Sequence, residues 1–300
     1  MDISYSFIIP HHNSVKLLGR CLRSIPRRDD IQIIVVDDCS DNVDWDSLDM
    51  NLNRIQLIKN PVNKGGGAAR NIGLDYAVGK WIIFADSDDI FVDNFLSILD
   101  KYKDSSYDVV YYNFEVKYSD DLNLDVKQYK KLVDYYTNYD GSDEMAHNIR
   151  FKILAPWNKM ISKKYIDAYN FRFEEVSITN DAFFGFIVSY FTSNTLITKE
   201  NVYIYTYNRN SITTKKYTDG VIIQSLKNIY KWNVFYSHVH FEHRSTLLHF
   251  LISTLYRRGI KEFFRIIKIY MSKKNDIVLN QDILIGLFEN YKKRTQSLNL

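Results

Sequence analysis

The chain has 300 residues, 46% of them hydrophobic, which is enough for one large domain or for a domain with a sizeable appendage. Its 39 basic residues nearly balance 36 acidic ones, so the strong basic excess of nucleic-acid-binding proteins is absent and we expect no nucleic acid partner. The two cysteines, Cys21 and Cys39, make no metal or disulfide framework and are typical of a reducing compartment.

The localisation signals in the sequence are few. The N-terminal stretch has no charged region followed by an apolar one, so it predicts no signal peptide. No apolar run reaches the roughly 18 to 20 residues that a membrane span needs. We therefore expect a cytoplasmic protein that can still touch the inner face of the cell membrane.

Apolar runs and helical periodicities alternate along the first hundred residues. They predict, in chain order, a strand at 6–10, a helix at 15–25, strands at 31–36 and 57–58, a helix at 68–79, a strand at 82–85 and a helix at 91–101. Such alternation predicts a mostly parallel sheet with right-handed crossovers. The stretch 119–150 predicts no clear element. Later patterns predict strands at 108–118, 159–162 and 202–207, a helix at 181–191 and helices from about 221 onward.

Three acids, Asp86, Asp88 and Asp89, directly follow the strand at 82–85, and Ser87 lies between the first two. Ligands of open α/β sheets bind beyond the carboxyl ends of the strands, so these acids are expected to face a crevice. Oxygen ligands that repel one another suit a hard divalent cation, Mg²⁺ or Mn²⁺. The alternative interpretation is an acidic turn that caps the next helix.

A second acidic strand end, Asp37 and Asp38, is expected at the same edge of the sheet. It is followed along the chain by the glycine-rich stretch 63–67, where the missing side chains let the backbone approach a ligand closely. Arg70 comes one helical turn later. The alternatives are an acidic turn for the first feature, and for the second a flexible helix entry whose arginine pairs with a surface acid.

Four sequence stretches together resemble the family 2 glycosyltransferases, which are nucleotide-sugar enzymes with the GT-A fold. They are Phe-Ile-Ile-Pro-His-His-Asn at 7–13, Val-Val-Asp-Asp-Cys-Ser-Asp at 35–41, Asn-Lys-Gly-Gly-Gly-Ala-Ala-Arg-Asn-Ile-Gly at 63–73 and Ala-Asp-Ser-Asp-Asp at 85–89. The resemblance covers roughly residues 4–215.

The resemblance implies a Rossmann-like, mostly parallel sheet with flanking helices. It implies a GT-A domain at 1–215, with a nucleotide-sugar half at about 1–115 and an acceptor half at about 116–215. A C-terminal helical appendage is expected at 216–300. The implied reaction is an inverting, metal-dependent transfer of a hexose or N-acetylhexosamine from a UDP-sugar to a saccharide or lipid-linked saccharide in surface polysaccharide synthesis.

The resemblance also assigns residues to the donor. The loop after the first strand would line the base and ribose, and Asp38, or alternatively Asp37, would accept a hydrogen bond from uracil N3–H. Asp88 would bind the metal ion, and Asp86 would contact the ribose, or the metal through water. The implied nucleotide-sugar contacts are Pro10, His12, Asn13, Asp38, Asn63, Lys64, Gly65, Arg70, Asp86, Ser87 and Arg209, with Lys215 as an alternative to Arg209.

On the acceptor side, Asp181 matches the family's general base, which takes the proton of the acceptor hydroxyl. The residue before it is Asn180, where the family usually has Glu. The alternative for Asp181 is a first-turn or capping acid of a helix. Trp157 could stack on a sugar ring, although a tryptophan beside a strand is as often part of the core.

The stretch 257–274 predicts an amphipathic helix with a basic surplus and one acid, Glu262. Such a helix can lie on an anionic membrane surface. The alternative is a helix that packs on the catalytic domain and exposes a solvated basic face. The oligomeric state cannot be inferred from the sequence.

Two other functions are alternatives to glycosyl transfer. A nucleotidyltransferase also uses an α/β fold, acids and Mg²⁺, but it usually has a glycine-rich loop with Arg and Lys after the first strand. Here that loop is Pro10 to Asn13. A non-catalytic sugar-nucleotide-binding protein would be expected to lack the acids, which are present.

Overall fold

A computed structural model describes residues 2–41, 43–45, 48, 55–176, 180–208, 218–239 and 247–277, together with 285, 286, 289, 290 and 293. The chain forms two compact units, Met1–Ile212 and Thr213–Leu300. Arg209 and Lys215, two of the predicted diphosphate contacts, lie outside the described residues.

Strands and helices alternate in the first unit. Its strands are β1 (Tyr5–His11), β2 (Ile31–Asp37), β3 (Ile55–Lys59), β4 (Trp81–Phe84), β5 (Ile90–Phe91), β6 (Val109–Tyr118), β7 (Asp121–Asp125), β8 (Lys159–Ser162) and β9 (Thr195–Tyr207). Its helices are α1 (Val15–Arg23), α2 (Gly66–Tyr76), α3 (Phe95–Asp100), α4 (Lys130–Thr137), α5 (Asp143–Lys152), α6 (Lys163–Tyr169) and α7 (Ala182–Tyr190), with a 3-10 turn at Lys127–Tyr129.

The first four strands form the parallel part of one sheet, in the order β3-β2-β1-β4. In the centre, Ile8 of β1 pairs with Ile34 of β2 and with Phe84 of β4. These strands are almost wholly apolar because both faces of a parallel sheet are covered. Their parallel direction brings the segments that follow β1, β2 and β4 to a single edge.

The other half of the sheet is mixed. β8 runs antiparallel to β4 and β6, β9 runs parallel to β6, and β7 pairs with β6 at the border. The helix predicted at 91–101 is wrong at its start, because residues 90 and 91 pair with β9 as the short strand β5. The predicted α/β fold is confirmed, and its parallel character belongs to the first half.

Helix α2 is seated closely on β1. A Cβ atom at Gly73 would lie 2.3 Å from Cγ2 of Ile8, so only a glycine allows this approach. This close packing fixes the direction of α2 and so directs Arg70, in its second turn, toward the sheet edge.

The second unit is helical, as the sequence predicts. Its helices are α8 (Asp219–His238), α9 (Leu247–Arg258) and α10 (Ile260–Ile277). In the described part of this unit, α8 and α10 contribute the buried core residues Ile222, Leu226, Ile266, Ile269 and Ile277, and Phe250 and Leu251 of α9 pack against them. An ion pair between Asp219 of α8 and Arg265 of α10 adds to this packing.

Candidate active site

The turn after β4 is fixed to β9 through Asp89. The buried carboxylate of Asp89 accepts hydrogen bonds from the Tyr203 hydroxyl at 2.9 Å and from the Thr206 backbone amide at 2.6 Å. The backbone amide of Asp86 donates to the same tyrosine oxygen at 2.9 Å. Asp89 is therefore a structural acid, and it orients the two acids that precede it.

Asp88 is the acid that this turn leaves open. Among the described residues, none but Asp88 itself donates a hydrogen bond to its carboxylate, although its backbone carbonyl accepts from Arg20 and Thr206 at 2.6 Å each. Burial, followed by repulsion from Asp86, raises the pKa of Asp88 to about 6. Ser87, between the two acids, is buried. A cation beside this carboxylate would stabilise its charged form.

Arg70 joins the β4 edge to the segment that leads into α7. Its Nη2 donates to Asp86 Oδ1 at 2.5 Å and its Nη1 to Asn180 Oδ1 at 2.9 Å. The guanidinium, which is almost fully buried, also lies over the ring of Phe173, 5.4 Å from the ring centroid. The planar fork of an arginine can hold two acceptors at fixed angles, so this side chain sets the distance between the two segments.

Glycines at the start of α2 make this arrangement sterically possible. Gly65 precedes the helix at φ +87°, in the region that favours glycine. A Cβ atom at Gly67 would lie 2.1 Å from the backbone oxygen of Glu174. The next α2 residue after Arg70 holds the same segment, because the Asn71 amide donates to the Phe173 carbonyl at 3.1 Å and accepts from its N–H at 2.8 Å.

Asp181 stands directly before α7, and its side chain makes no capping hydrogen bond there. Asp181 thus occupies the N-cap position of α7, but its carboxylate is not used to bond the first backbone amides of the helix. Burial raises the pKa of Asp181 and nearby Asp86 adds to the rise, while Arg70 and Lys159 act in the opposite direction. A carboxylate with a raised pKa is a better proton acceptor near neutral pH than an ordinary one.

The loops after β1 and β2 are tied together by a buried histidine. His11 Nδ1 lies 3.0 Å from Asp37 Oδ1, and its Nε2 accepts the Ser14 amide at 3.1 Å. Because Nε2 is an acceptor, the proton of the neutral ring is on Nδ1 and points to Asp37. Burial lowers the pKa of His11, which keeps the ring neutral. Ser40 donates to the same carboxylate from its hydroxyl and, at 3.3 Å, from its amide.

Asp38 is engaged by the glycine-rich loop. Its Oδ1 accepts from Asn60 Nδ2 at 3.0 Å and from the Lys64 amide at 2.9 Å, and its Oδ2 from the Gly65 amide at 2.6 Å. With 3% of its surface exposed, it holds that loop against the end of β2. The predicted bond to uracil N3–H is untested, and these occupied oxygens favour a positioning role.

The remaining predicted donor contacts cluster around the same edge. Pro10 is half-buried at the end of β1, and Lys64 is exposed. Asn13 has φ +54° and accepts the Asp41 amide at 2.8 Å through its side chain. The exposed imidazole of His12 lies 3.3 Å from Asn63 Nδ2. The loops after β1 and β3 thus meet in front of the sheet.

Comparison with known proteins identifies the family. The family described as "Glycosyl transferase family 2" matches residues 6–170. This chain belongs to that family. The match spans β1 to the end of α6 and so includes the loops after β1, β2 and β4 and the glycine-rich segment described above.

Two bacterial glycosyltransferases match shorter stretches of the chain at a higher identity than its longer matches. The chain is 34% identical over 100 residues to UDP-Glc:alpha-D-GlcNAc-diphosphoundecaprenol beta-1,3-glucosyltransferase WfgD of Escherichia coli, a match of 32% of this chain. It is 35% identical over 120 residues to glycosyltransferase GlyG of Streptococcus pneumoniae serotype 4, a match of 37% of this chain. The chain spans 40% of the length of each of these two relatives.

Among solved structures, the fold resembles that of S. aureus TarS. The crystal structure of TarS 1-349 in complex with UDP-GlcNAc superposes with a TM-score of 0.56 at 18% identity. The superposition covers 100% of this chain and 92% of that one. The GT-A fold that the sequence predicts is thus confirmed.

Trp157, the predicted acceptor contact of this family member, lies in an aromatic cluster. Its ring stacks on Tyr203 at 4.9 Å and on Tyr205 at 5.7 Å between centroids, and Phe114 meets it edge-on at 4.8 Å. With 8% of its surface exposed, the indole has little face left for a sugar. Of the two interpretations from the sequence, these contacts favour a core role of Trp157 over a sugar contact.

The acids fit a divalent cation that a bound diphosphate helps to hold. Within the ranges that the structure describes, no three His, Cys, Asp or Glu side chains form a group that could hold a metal ion by themselves. Mg²⁺ is usually bound through one or two carboxylates and substrate phosphates. The open carboxylate of Asp88 beside that of Asp86 supplies such a partial set. No described helix is both long and apolar enough to cross a membrane.

Two residues near the site, Arg20 and Lys159, have no local sequence pattern that indicates their role. Arg20, on α1, donates to the backbone carbonyls of Asp88 and Ser119 and to the Thr206 hydroxyl, and so links three segments. Lys159 is buried and donates to the Ile153 carbonyl at 2.9 Å and to two further acceptors. In the sequence, Arg20 cannot be distinguished from a surface arginine of an amphipathic helix, because its hydrogen-bond partners are distant along the chain.

Proposed function

We propose that this chain is an inverting, metal-dependent glycosyltransferase that moves a hexose or N-acetylhexosamine from a UDP-sugar to a saccharide hydroxyl. The observation that carries the proposal is the Arg70 fork, which holds Asp86 of the β4 edge and Asn180, the neighbour of Asp181. The Arg70 side chain thereby connects Asp86, on the donor side, to the segment that carries Asp181, on the acceptor side.

The donor would bind along the edge formed by the loops after β1, β2 and β3. His12, Asn13 and the Asn63-Lys64-Gly65 stretch would contact the nucleotide, with Asp38 holding the last of these in place. Exposed Lys64 and buried Arg70 supply positive charge for a diphosphate. The names of WfgD and of the TarS complex both contain a UDP-sugar, which supports this donor class.

Asp88, with Asp86 beside it, would hold Mn²⁺ or Mg²⁺. When bound, the ion would neutralise the negative charge that grows on the departing diphosphate. Arg70 neutralises part of the charge on Asp86, which leaves Asp88 as the acid with the larger need for a cation. Arg20 and Thr206 fix the backbone of Asp88, so the carboxylate starts from a defined position.

Asp181 would act as the general base. Its half-buried carboxylate makes no capping hydrogen bond to α7, and its raised pKa favours acceptance of the proton from the acceptor hydroxyl. Asn180 replaces the family's usual Glu and accepts from Arg70 without adding a negative charge. The base is therefore oriented by its position before α7 and by the Arg70–Asn180 contact instead of by a second acid.

The names of the relatives support a proposal for the acceptor and the setting. WfgD is named for a sugar carried on diphosphoundecaprenol, a lipid-linked acceptor. We propose a saccharide or lipid-linked saccharide acceptor in bacterial surface polysaccharide synthesis, at the cytoplasmic face of the membrane. The GT-A domain at 1–215, with its donor half at about 1–115 and its acceptor half at about 116–215, remains part of this proposal.

The test is a panel of UDP-sugars, each with Mn²⁺, in which heat of binding and slow release of UDP are measured. A general base typically raises the rate of the chemical step by about 10²–10⁴-fold. Asp181→Asn should therefore still bind the donor, and its turnover should fall by that factor. Asp93→Asn, an exposed acid of the same type, should behave as the wild type. Absence of binding for every UDP-sugar, with and without metal, would refute the donor site, and binding without any turnover would favour a non-catalytic protein.

A further inference from the structure

Helix α10 of the second unit has a typical inward face. Ile266, Ile269 and Ile277 are buried and pack with Ile222 and Leu226 of α8. In a helix that packs on a protein core, the opposite face is normally polar.

The outward face of α10 is apolar as well. Ile260, Phe264 and Met271 are 54%, 61% and 70% exposed. At about 100° per residue, these three side chains fall within an arc of about 40°, opposite Ile266 and Ile269, which precede the kink at Lys273. A solvated basic face, the alternative from the sequence, does not account for three large apolar side chains that point away from the core.

Positive charge lies directly beside this stripe. Lys261 and Lys268 are exposed and occupy the neighbouring arc of the same helix. Glu262, the acid of this part of the helix, is buried and accepts from Arg265 Nη1 at 2.7 Å. The acid is turned inward while the lysines stay outside, so the outward face from residue 260 to residue 272 carries positive charge only.

The preceding helix, α9, has a similar stripe. Ile252, Leu255 and Tyr256 are exposed at spacings of three and four residues, which places them on one helical face. Gly259, at φ +84°, separates the two helices. Exposed apolar stripes therefore recur on two successive helices of the same unit.

We propose that the outer face of α10, together with the α9 stripe, docks this protein on a membrane surface that contains anionic lipid. Apolar side chains of such helices enter the boundary between headgroups and acyl chains, and lysines remain at the phosphate level. A second copy of this chain is a poorer occupant, since an interface between two such faces would gather the lysines of both copies with no acid on this face to pair with them. The inference goes beyond sugar transfer and does not depend on it.

The test is flotation of the full chain with two kinds of vesicle, phosphatidylcholine alone and phosphatidylcholine with one third phosphatidylglycerol. We expect binding to the second kind only, and weaker binding at high salt. Lys261→Gln and Lys268→Gln should each reduce the binding constant about fivefold, as expected for a lysine near an anionic surface. The double variant Phe264→Ser/Met271→Ser should lose binding.

Matched controls carry the same chemical changes elsewhere. Lys164→Gln and Leu124→Ser alter an exposed lysine and an exposed leucine of the first unit and should float as the wild type does. Equal thermal unfolding of all variants excludes loss of folding, because the changed side chains are exposed. UDP release in solution should be unchanged in all of them, which separates this proposal from the proposed transfer.

Three results would overturn the proposal. They are no flotation of the wild type with anionic vesicles, equal flotation with neutral vesicles, and equal losses in the control variants. If the wild type instead sediments as a dimer that Phe264→Ser/Met271→Ser dissolves, without vesicle binding, the stripe is an interface between copies and the membrane proposal is wrong.

Discussion

The ends of β2 and β4 look alike in sequence and differ in the folded protein. Both are buried apolar strands that end in adjacent acids at the same edge of the sheet. At β2, Asp37 is bonded by His11 and Ser40, and Asp38 by a side-chain amide and two backbone amides. At β4, Asp89 is bonded in the same complete way, whereas the Asp88 carboxylate is left open.

The difference lies in what the following chain brings to each acid. The glycine-rich loop returns to β2 with its backbone amides pointing at Asp38, because an amide can approach where glycine replaces a larger residue. At β4 the neighbouring segments reach the backbone of Asp88 and the side chain of Asp89. Adjacent acids after a strand are therefore an ambiguous signal, and donor groups from elsewhere decide between structure and ligand binding.

Among variants of the two strand ends, the largest effect on UDP release is expected for Asp88→Asn. If this carboxylate holds the metal ion, UDP release in the presence of Mn²⁺ should fall by about 10²–10³-fold, the usual loss when one charge-stabilising group is removed. Asp93→Asn is the matched control. An unchanged rate in Asp88→Asn would refute the role of this acid.

The same substitution should stabilise the metal-free protein. The pKa of Asp88 is about 6 in the folded protein, against an ordinary value of 3.8, so the folded state binds this proton more tightly than the unfolded chain does. Ionisation of Asp88 therefore lowers the free energy of unfolding. This loss grows as the pH rises from 3.8 to about 6 and is constant above that range. Asp88→Asn removes this loss, and we expect a gain of about 1–2 kcal/mol in the free energy of unfolding at pH 7, after allowance for partial exposure. Denaturant unfolding without metal measures it, and a loss of stability would contradict the open-carboxylate account.

Asp38→Asn should have the opposite effect on stability. An amide in this place can accept fewer of the three donors and turns an N–H group toward the Lys64 or Gly65 amide. We expect a loss of about 2–3 kcal/mol in the free energy of unfolding. The control is Asp41→Asn, whose exposed side chain lies in the same loop. A difference within about 0.5 kcal/mol between the two variants would mean that Asp38 does not hold the glycine-rich loop.

Arg20→Gln should act through Asp88 with a smaller effect. The shorter side chain loses the bonds to the Asp88 carbonyl and the Thr206 hydroxyl, so the metal-binding turn is held less firmly. We expect about a tenfold weaker apparent affinity for Mn²⁺, the size of effect usual for a residue that orients a metal ligand. Arg23→Gln, exposed on the same helix, is the control, and equal affinities in both variants would exclude a positioning role for Arg20.

The pH dependence should be a moderate effect of known sign. Asp181 must be ionised to accept a proton, and Asp88 must be ionised to bind a cation. Burial raises the pKa of both carboxyl groups, to about 6 for Asp88. At limiting Mn²⁺, UDP release should therefore fall about tenfold between pH 7 and pH 5. Excess Mn²⁺ should shift the acid limb to lower pH, since it competes with the proton on Asp88. An acid limb that does not respond to Mn²⁺ would assign the titration to another group.

The parallel half of the fold could be predicted because each strand is an unbroken apolar run between clear breaks. The strand at 90–91 could not, since its two residues owe their conformation to pairing with residues 203 and 204, more than a hundred positions away. For the same reason β9 begins at Thr195, where pairing with β6 extends the strand through a polar stretch that has no strand pattern.

The site could be predicted where spacing alone places a group, as for Asp86, Asp88 and Arg70. Three features of the site could not be predicted from the sequence. The oxygens of Asp38 are taken by amides 26 and 27 positions later, Arg20 acts on a turn 68 positions away, and Trp157 is enclosed by β9. Each depends on side chains meeting across the sheet, which local patterns do not encode.

The most direct test of the central contrast is a Mn²⁺ titration of UDP binding by calorimetry, in wild type, Asp88→Asn and Asp38→Asn. We predict that Mn²⁺ strengthens UDP binding to the wild type and to Asp38→Asn, whatever the metal-free affinity of the latter. Asp88→Asn should bind UDP with the same affinity at every Mn²⁺ concentration. If Asp88→Asn keeps the dependence on Mn²⁺ and Asp38→Asn loses it, the two strand ends have been assigned the wrong way round.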